Sequence, residues 1–309
     1  MQRLLTTTIL VGLLVATAAA FAITEKLKLE RSPIYGTRVL SRFSPVCGCA
    51  RGRATVRIEL RRGDTVTVTM LDSHGKPVRV LVAGQRVPRG PSIFRWDGRT
   101  DARRIAPDGV YKAEVHLAGQ HRTIVLPNPI HLDTVPPAVK SVVLDRDTFS
   151  PDGDKQADTI TAHYELTKPA HVLAYIGGTR FINTQAHQSS GKFTWDGTVH
   201  GIPLRAGTYT IELGAKDLAG NSTPIADRWR LHVTIRFIRL ASRHIVAQRG
   251  KQFAVGVSTD ARRYAWKLGN RTGVASGPVL SIRAPNSRGR FTLSVTEHGH
   301  SDQAAVVVR

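Results

Sequence analysis

Two stretches of this chain carry the same pattern in the same register, and a repeat of that length restricts the fold to domains in tandem. Phe43-Ser44-Pro45 opens the first copy and Phe149-Ser150-Pro151 the second. Trp96-Asp97-Gly98 recurs as Trp195-Asp196-Gly197, and Gly109-Val110-Tyr111 as Gly207-Thr208-Tyr209. From the Phe-Ser-Pro motif the copies stay aligned, so that Val56, Ile58 and Leu60 match Ala162, Tyr164 and Leu166. Past Met70 the offset shrinks by about seven residues, which puts a shorter hairpin in the second copy. A period of roughly 100 residues is that of a whole domain rather than of a solenoid unit.

Within the first copy, apolar and polar residues alternate through 54–60, 65–71 and 78–82, the period of half-buried strands. Turn formers separate these runs, first Arg62-Gly63-Asp64 and then Ser73 to Pro77. Gly177-Gly178 predicts a tight primed hairpin in the second copy. Beyond the N-terminus no stretch keeps a helical period. Asp133-Thr134-Val135-Pro136-Pro137 reads as a linker, because paired prolines stiffen the chain and end strand pairing. From about Arg236 a third region lacks both motifs yet has short apolar runs at 253–257, 279–282, 291–295 and 304–308. Tyr264-Ala265-Trp266-Lys267-Leu268 alternates there as a core strand would.

Residues 65–117, with VTVTMLDSHGKPVRVL and FRWDGRTDARRIAPDGVYKAEV, resemble the Ig-like domain of the flagellar hook-capping (FlgD-type) family. That module occurs widely in bacterial secreted and surface proteins. FSPDGDKQADTI is similar to the opening of bacterial Ig-like surface repeats, and Asp217-Leu218-Ala219-Gly220-Asn221 to their ending. The resemblance covers about half of the chain and implies an Ig-like sandwich in which Trp-Asp-Gly belongs to the fold. It implies no single function, because the module is reused for many purposes. The rod-docking region of the hook cap has no counterpart here. The expected fold class is therefore all-β, with tandem Ig-like β-sandwich domains after an N-terminal transmembrane or signal segment. The expected boundaries are 1–24 for that segment, 25–42 for a polar stalk, 43–132 and 138–235 for Ig-like domains around the 133–137 linker, and 236–309 for a third sandwich.

No charge interrupts the run from Leu4 to Thr24, a length that can cross a bilayer. Ala20-Phe21-Ala22 also fits a cleavage site, so a membrane anchor over residues 4–24 and a cleaved secretory signal both stand. Lys26, Lys28 and Arg31 follow the run and only Arg3 precedes it, a bias that argues against export. The short leader and the β-domains behind it outweigh that bias. The expected location is the cell membrane with extracytoplasmic domains, or else the medium.

The net charge of +21 is unevenly spread. Residues 43–132 hold 15 basic and 7 acidic groups, residues 138–235 hold ten of each, and residues 236–309 hold 13 against 3. Two basic modules flank a neutral one. Outside a cell their counterparts would be anionic envelope polymers or lipid headgroups, although plain solubility accounts for the charge equally well. Aromatic residues make up only 6% of the chain, which argues against base stacking and against specific nucleic-acid recognition.

Enzyme signatures are missing: there is no G-x-S-x-G, no H-E-x-x-H and no Walker loop. Ser73 to Lys76 matches S-x-x-K by chance, inside a turn, and no catalytic residue is expected. The indoles of Trp96 and Trp195 are expected in cores, with Asp97-Gly98 and Asp196-Gly197 turning the chain after each strand. Cys47 and Cys49, the only cysteines, leave three readings open: a local disulfide, free or intermolecular thiols, and a redox or metal role. Asp152, Asp154 and Asp158 are spaced like the start of a calcium loop. The EF-hand pattern fails at His163, where a glutamate would stand, so an Asp-rich turn competes with a calcium site. No other cofactor is expected.

Overall fold

A computed structural model describes residues 11–21 and 31–309. Residues 11–21 are helical, and among the described residues no helix is long and apolar enough to cross a membrane. Most of the flanks on which the anchor and cleavage-site readings depend lie outside the described residues. The remainder is β apart from a 3-10 helix at Ile225–Asp227, and divides into two compact units, one ending at Asp133 and the other running from Thr134 to Arg309.

The first unit holds β1 (Ile34–Val39), β2 (Arg42–Phe43), β3 (Ala54–Leu60), β4 (Asp64–Leu71) and β5 (Pro77–Val87). It continues with β6 (Gly90–Trp96), β7 (Gly109–Leu117), β8 (Arg122–Val125) and β9 (Ile130–Leu132). One sheet runs β1-β3-β6 and the other β2-β9-β7-β4-β5, with β8 on β7. The period-2 pattern does what it predicts. In β3 every second side chain is buried, and Val56, Ile58 and Leu60 face Val66, Val68 and Met70 across one core. The polar stalk is shorter than expected, because Ile34 to Val39 of that stretch is the edge strand beside β3. Only Ile34 of that strand is buried, so its sequence lacks the alternation that marks the inner strands.

The second unit contains two sandwiches with separate cores. The middle one has β10 (Val139–Leu144), β11 (Thr148–Phe149), β12 (Ile160–Ile176), β13 (Thr179–Asn183) and β14 (Gln188–Trp195). A short hairpin of β15 (Thr198–Val199) and β16 (Ile202–Pro203) leads to β17 (Gly207–Lys216) and β18 (Trp229–Ile235). The β10–β12 pairing shows the repeat reaching upstream of Phe149: Val139 to Leu144 sits on β12 as Ile34 to Val39 sits on β3, with a bulge at the same place. Gly177 and Gly178 both have positive φ and join Ile176 directly to Thr179, as a primed two-residue turn requires.

The last sandwich comprises β19 (Arg239–Leu240), β20 (His244–Ala247), β21 (Gln252–Ser258), β22 (Tyr264–Leu268) and β23 (Arg271–Ala275). It ends with β24 (Val279–Arg283), β25 (Gly289–Glu297) and β26 (His300–Val308). Its sheets run β19-β21-β24 and β20-β26-β25-β22-β23, the strand order of the first unit without its two motifs. In all three sandwiches a short early strand lies parallel to the last one: β2 on β9, β11 on β18 and β20 on β26. An edge strand that changes sheets in this way is an immunoglobulin-like feature, and it fixes which loops gather at each end of a sandwich.

Candidate functional site

The repeated motifs build a structural corner in both copies. Trp96 is fully buried and donates its indole N–H to the Arg99 carbonyl at 2.9 Å, while Trp195 does the same to Thr198 at 2.7 Å. The Asp97 carboxylate accepts the Arg99 amide, and that of Asp196 accepts the Thr198 amide. Phe43 packs on Trp96 at 5.4 Å and Phe149 on Trp195 at 5.5 Å. Gly98 and Gly197 turn the chain with φ of 74° and 78°. A Cβ on Gly197 would also come within 2.8 Å of Pro151, so the two motifs require each other. Tyr111 and Tyr209 close the corner by donating to the Pro107 and Arg205 carbonyls. Each indole N–H is already used inside the fold.

The loop after each Phe-Ser-Pro motif is where the copies part. In the first, Cys47 and Cys49 are joined in a disulfide, which consumes both thiols. In the middle sandwich the same loop carries Asp152, Asp154 and Asp158, and these three do not act together. Asp158 turns inward and accepts the Gly153 and Lys155 amides at 2.7 and 2.8 Å, pinning a loop in which Gly153, Lys155 and Ala157 all have positive φ. Asp154 is oriented by the Gln156 amide, and Asp152 by the Asp154 amide and the Ser150 hydroxyl.

What the sequence did not reveal is a fourth partner from far along the chain. Glu297, at the end of β25, brings a carboxylate oxygen to Asp152 and Asp154, and the three oxygens lie within 4.8 Å of one another. Glu297 is 4% exposed. Its Oε2 accepts the Thr259 hydroxyl, while its Oε1 is buried without an N–H or hydroxyl donor. Asp260, after β21, joins the same group, and its Oδ2 is likewise buried and unpartnered. Burial pushes the Glu297 carboxyl up to about 7 against the Thr259 hydroxyl, which lowers it, while the Asp152 charge, a carboxyl–carboxylate hydrogen bond with Asp152 and the Asp260 charge add to the rise. Burial also pushes Asp260 up to about 6, with the Asp152 and Asp154 charges adding to it. None of the four carboxylates forms an ion pair among the described residues. Glu297 was hidden because it precedes His298-Gly299 in what reads as an ordinary hairpin turn. The one available signal was that the basic third region holds only three acids, two of which are Asp260 and Glu297.

The Ser73 to Lys76 match and the His298-Gly299 segment both lie in turns. Ser73 to Lys76 is a hairpin end, in which the Asp72 carboxylate accepts the His74 and Lys76 amides. His298 and Gly299 form the tip between β25 and β26, and His300 stacks flat on Phe237 at 3.5 Å. Of the arginines on the first unit, Arg51, Arg53, Arg62, Arg99 and Arg104 are exposed. Arg57 is half-exposed and pairs with Glu59 at 2.9 Å.

No protein-family model matches the chain, and no curated protein matches it. Among solved structures, the three Ig domains I67–I69 of titin align with 90% of this chain and 99% of theirs, at 12% identity and a TM-score of 0.33. A structure concerned with host cell surface retention of a 1.5-MDa bacterial ice-binding adhesin aligns with 90% of this chain and 99% of its own, at 13% identity and a TM-score of 0.30. FlgD from P. aeruginosa aligns with 37% of this chain and 83% of its own, at 23% identity and a TM-score of 0.24. These likenesses do not extend the resemblance read from residues 65–117 to membership of the hook-cap family.

Proposed function

We propose that this chain is a non-enzymatic extracytoplasmic protein, tethered by or released from its N-terminal apolar segment, whose Ig-like sandwiches serve a structural or adhesive role. The observation that carries this reading is the solvent-facing arginine set on the first unit. Arg51, Arg53, Arg62 and Arg104 are exposed and carry no ion pair among the described residues, so their charge is available to a partner. The counterpart is an anionic envelope polymer or an acidic lipid headgroup, held by contacts that weaken as salt screens them. The finished hydrogen bonding of the Trp-Asp-Gly corners supports a scaffold role for the most distinctive motif.

The test is binding of the full chain to isolated cell envelopes and to vesicles containing an acidic lipid, at low and high salt. The expected result is retention that falls steeply between roughly 50 and 200 mM salt, and falls further when Arg51, Arg53 and Arg62 are replaced by Gln. Salt-insensitive binding to appendage subunits would instead favour a hook-cap-like assembly factor. Binding to neutral envelope sugar would favour an accessory carbohydrate-binding module. Protease access to a C-terminal tag on intact cells tests the location, and protection until lysis would overturn it.

A further inference from the structure

We propose that the junction between the middle and C-terminal sandwiches is a divalent-cation site of calcium type, with Asp152, Asp154 and Glu297 as carboxylate ligands and Asp260 at its margin. The site lies within the second unit, where the loop after β11 meets the turn after β21 and the end of β25. It joins residues about 145 positions apart in the chain.

Three observations support it. The first is geometric. Oxygens on opposite sides of a calcium ion bound at about 2.4 Å are separated by about 4.8 Å, and the three carboxylate oxygens fall within that span. The second is an orphaned acceptor. The Oε1 of Glu297 is buried with no N–H or hydroxyl donor on a side chain only 4% exposed, and without a cation the crowded carboxyls can be relieved only by a proton shared between Glu297 and Asp152. The third is charge placement. Residues 236–309 offer 13 basic side chains, yet two of their three acids are turned toward the Asp-rich loop and no Lys or Arg is paired with them. Asp302, the third acid, does pair, with Arg243. A hard cation that accepts several carboxylate oxygens in flexible geometry fits the spacing and satisfies both the orphaned acceptor and the unpaired acids. Asp158 is not a ligand in this arrangement; it holds the loop that presents Asp152 and Asp154.

The consequence is mechanical. A cation shared between loops of two sandwiches would fix their junction, so the second unit would be stiffer with the ion than without it.

The experiment uses the full chain, solubilised with detergent, stripped with chelator and titrated with calcium chloride up to roughly 10⁻³ M, the range of extracellular calcium modules. Calorimetry should report one site, and the melting temperature of the second unit should rise while that of the first stays fixed. Glu297→Gln and Asp152→Asn should weaken binding by about tenfold or more, since each removes a charged ligand. Glu297→Gln should also raise the melting temperature in chelator by relieving repulsion, so losing the calcium response while the fold improves distinguishes a ligand from a merely structural residue. Glu165→Gln, on the exposed face of β12, should respond as the wild type does. Absence of heat and of any shift in the wild type would overturn the site, as would a wild-type response in Glu297→Gln. An equal response to magnesium would overturn the calcium assignment.

Discussion

The first and middle sandwiches are two solutions to one design, and beyond the loop after Phe-Ser-Pro they differ where a buried acid must be satisfied. In the first, β3 and β4 are separate strands broken at Arg61-Arg62-Gly63, and Asp64 at the start of β4 is 8% exposed. Its carboxylate accepts the amides of Thr65 and Gly119 and the side chain of Gln120. In the middle sandwich the matching strands run together as the 17-residue β12, and Ala170 takes the place of Asp64. The acid has moved to the opposite partner. Asp217, after β17, accepts the Gly220 and Asn221 amides and pairs with Lys168 at 3.0 Å. Both turns need a carboxylate to absorb backbone donors, and either strand can provide it, because the two sites lie side by side across the sheet.

The largest effect should come from the shared corner. Replacing Trp96 or Trp195 by Ala should cost about 3–5 kcal/mol in either copy, by loss of packing and of one buried hydrogen bond. Chemical denaturation of the full chain would show whether the costs agree. A difference of more than about 2 kcal/mol would break the equivalence of the two corners.

The transposed acids should come next. Asp64→Ala and Asp217→Ala each strand two backbone amides and should cost about 1–3 kcal/mol, confined to the first and the second unit respectively. A calorimetric trace in which either variant moved both transitions would contradict the separation into two compact units.

Acidification should then move the units in opposite directions. Burial opposes ionisation of Asp64, but its hydrogen bonds from Gln120, Gly119 and Thr65 win and hold its carboxyl below the usual value. A lowered folded pKa contributes stability above the unfolded value of 3.8, and that stability is lost as pH falls through the folded value. Glu297 and Asp260 have the opposite sign. With folded values raised to about 7 and about 6, their contribution is complete below the unfolded values of 4.5 and 3.8, and is lost as pH rises through 6 and 7. In chelator, the second unit should therefore melt at higher temperature at pH 5 than at pH 8, whereas the first should weaken only below about pH 4. Calcium should flatten the dependence of the second unit, and an unchanged slope would count against the cation bridge.

The smallest effect belongs to the loop in which the copies use different chemistry. Reducing the Cys47–Cys49 bond opens a ring of very few residues, so the first unit should lose only about 1 kcal/mol. Asp158→Asn keeps one acceptor for the Gly153 and Lys155 amides and should cost a similar amount in the middle loop. If reduction shifted melting as strongly as a corner substitution, the disulfide would be holding far more than its own loop.

The chain by itself determined what depends on neighbours in sequence. Alternation placed β3 and β4, Gly177-Gly178 placed a hairpin, and the paired Phe-Ser-Pro and Trp-Asp-Gly motifs announced two copies of one sandwich, because strand period and turn conformation are local properties. The third sandwich was legible from its apolar runs, although not its identical strand order. Tertiary structure decided the rest. The pairing of Ile34 to Val39 with β3 drew part of an apparent stalk into the first sandwich, since an edge strand with one buried side needs little pattern of its own. Most of all, it removed Asp158 from the expected acidic set and supplied Glu297 and Asp260 in its place. Spacing along a loop shows which carboxylates are adjacent in the chain. Which of them turn inward to backbone amides, and which meet acids more than 100 residues away, is settled only when two sandwiches bring their ends together.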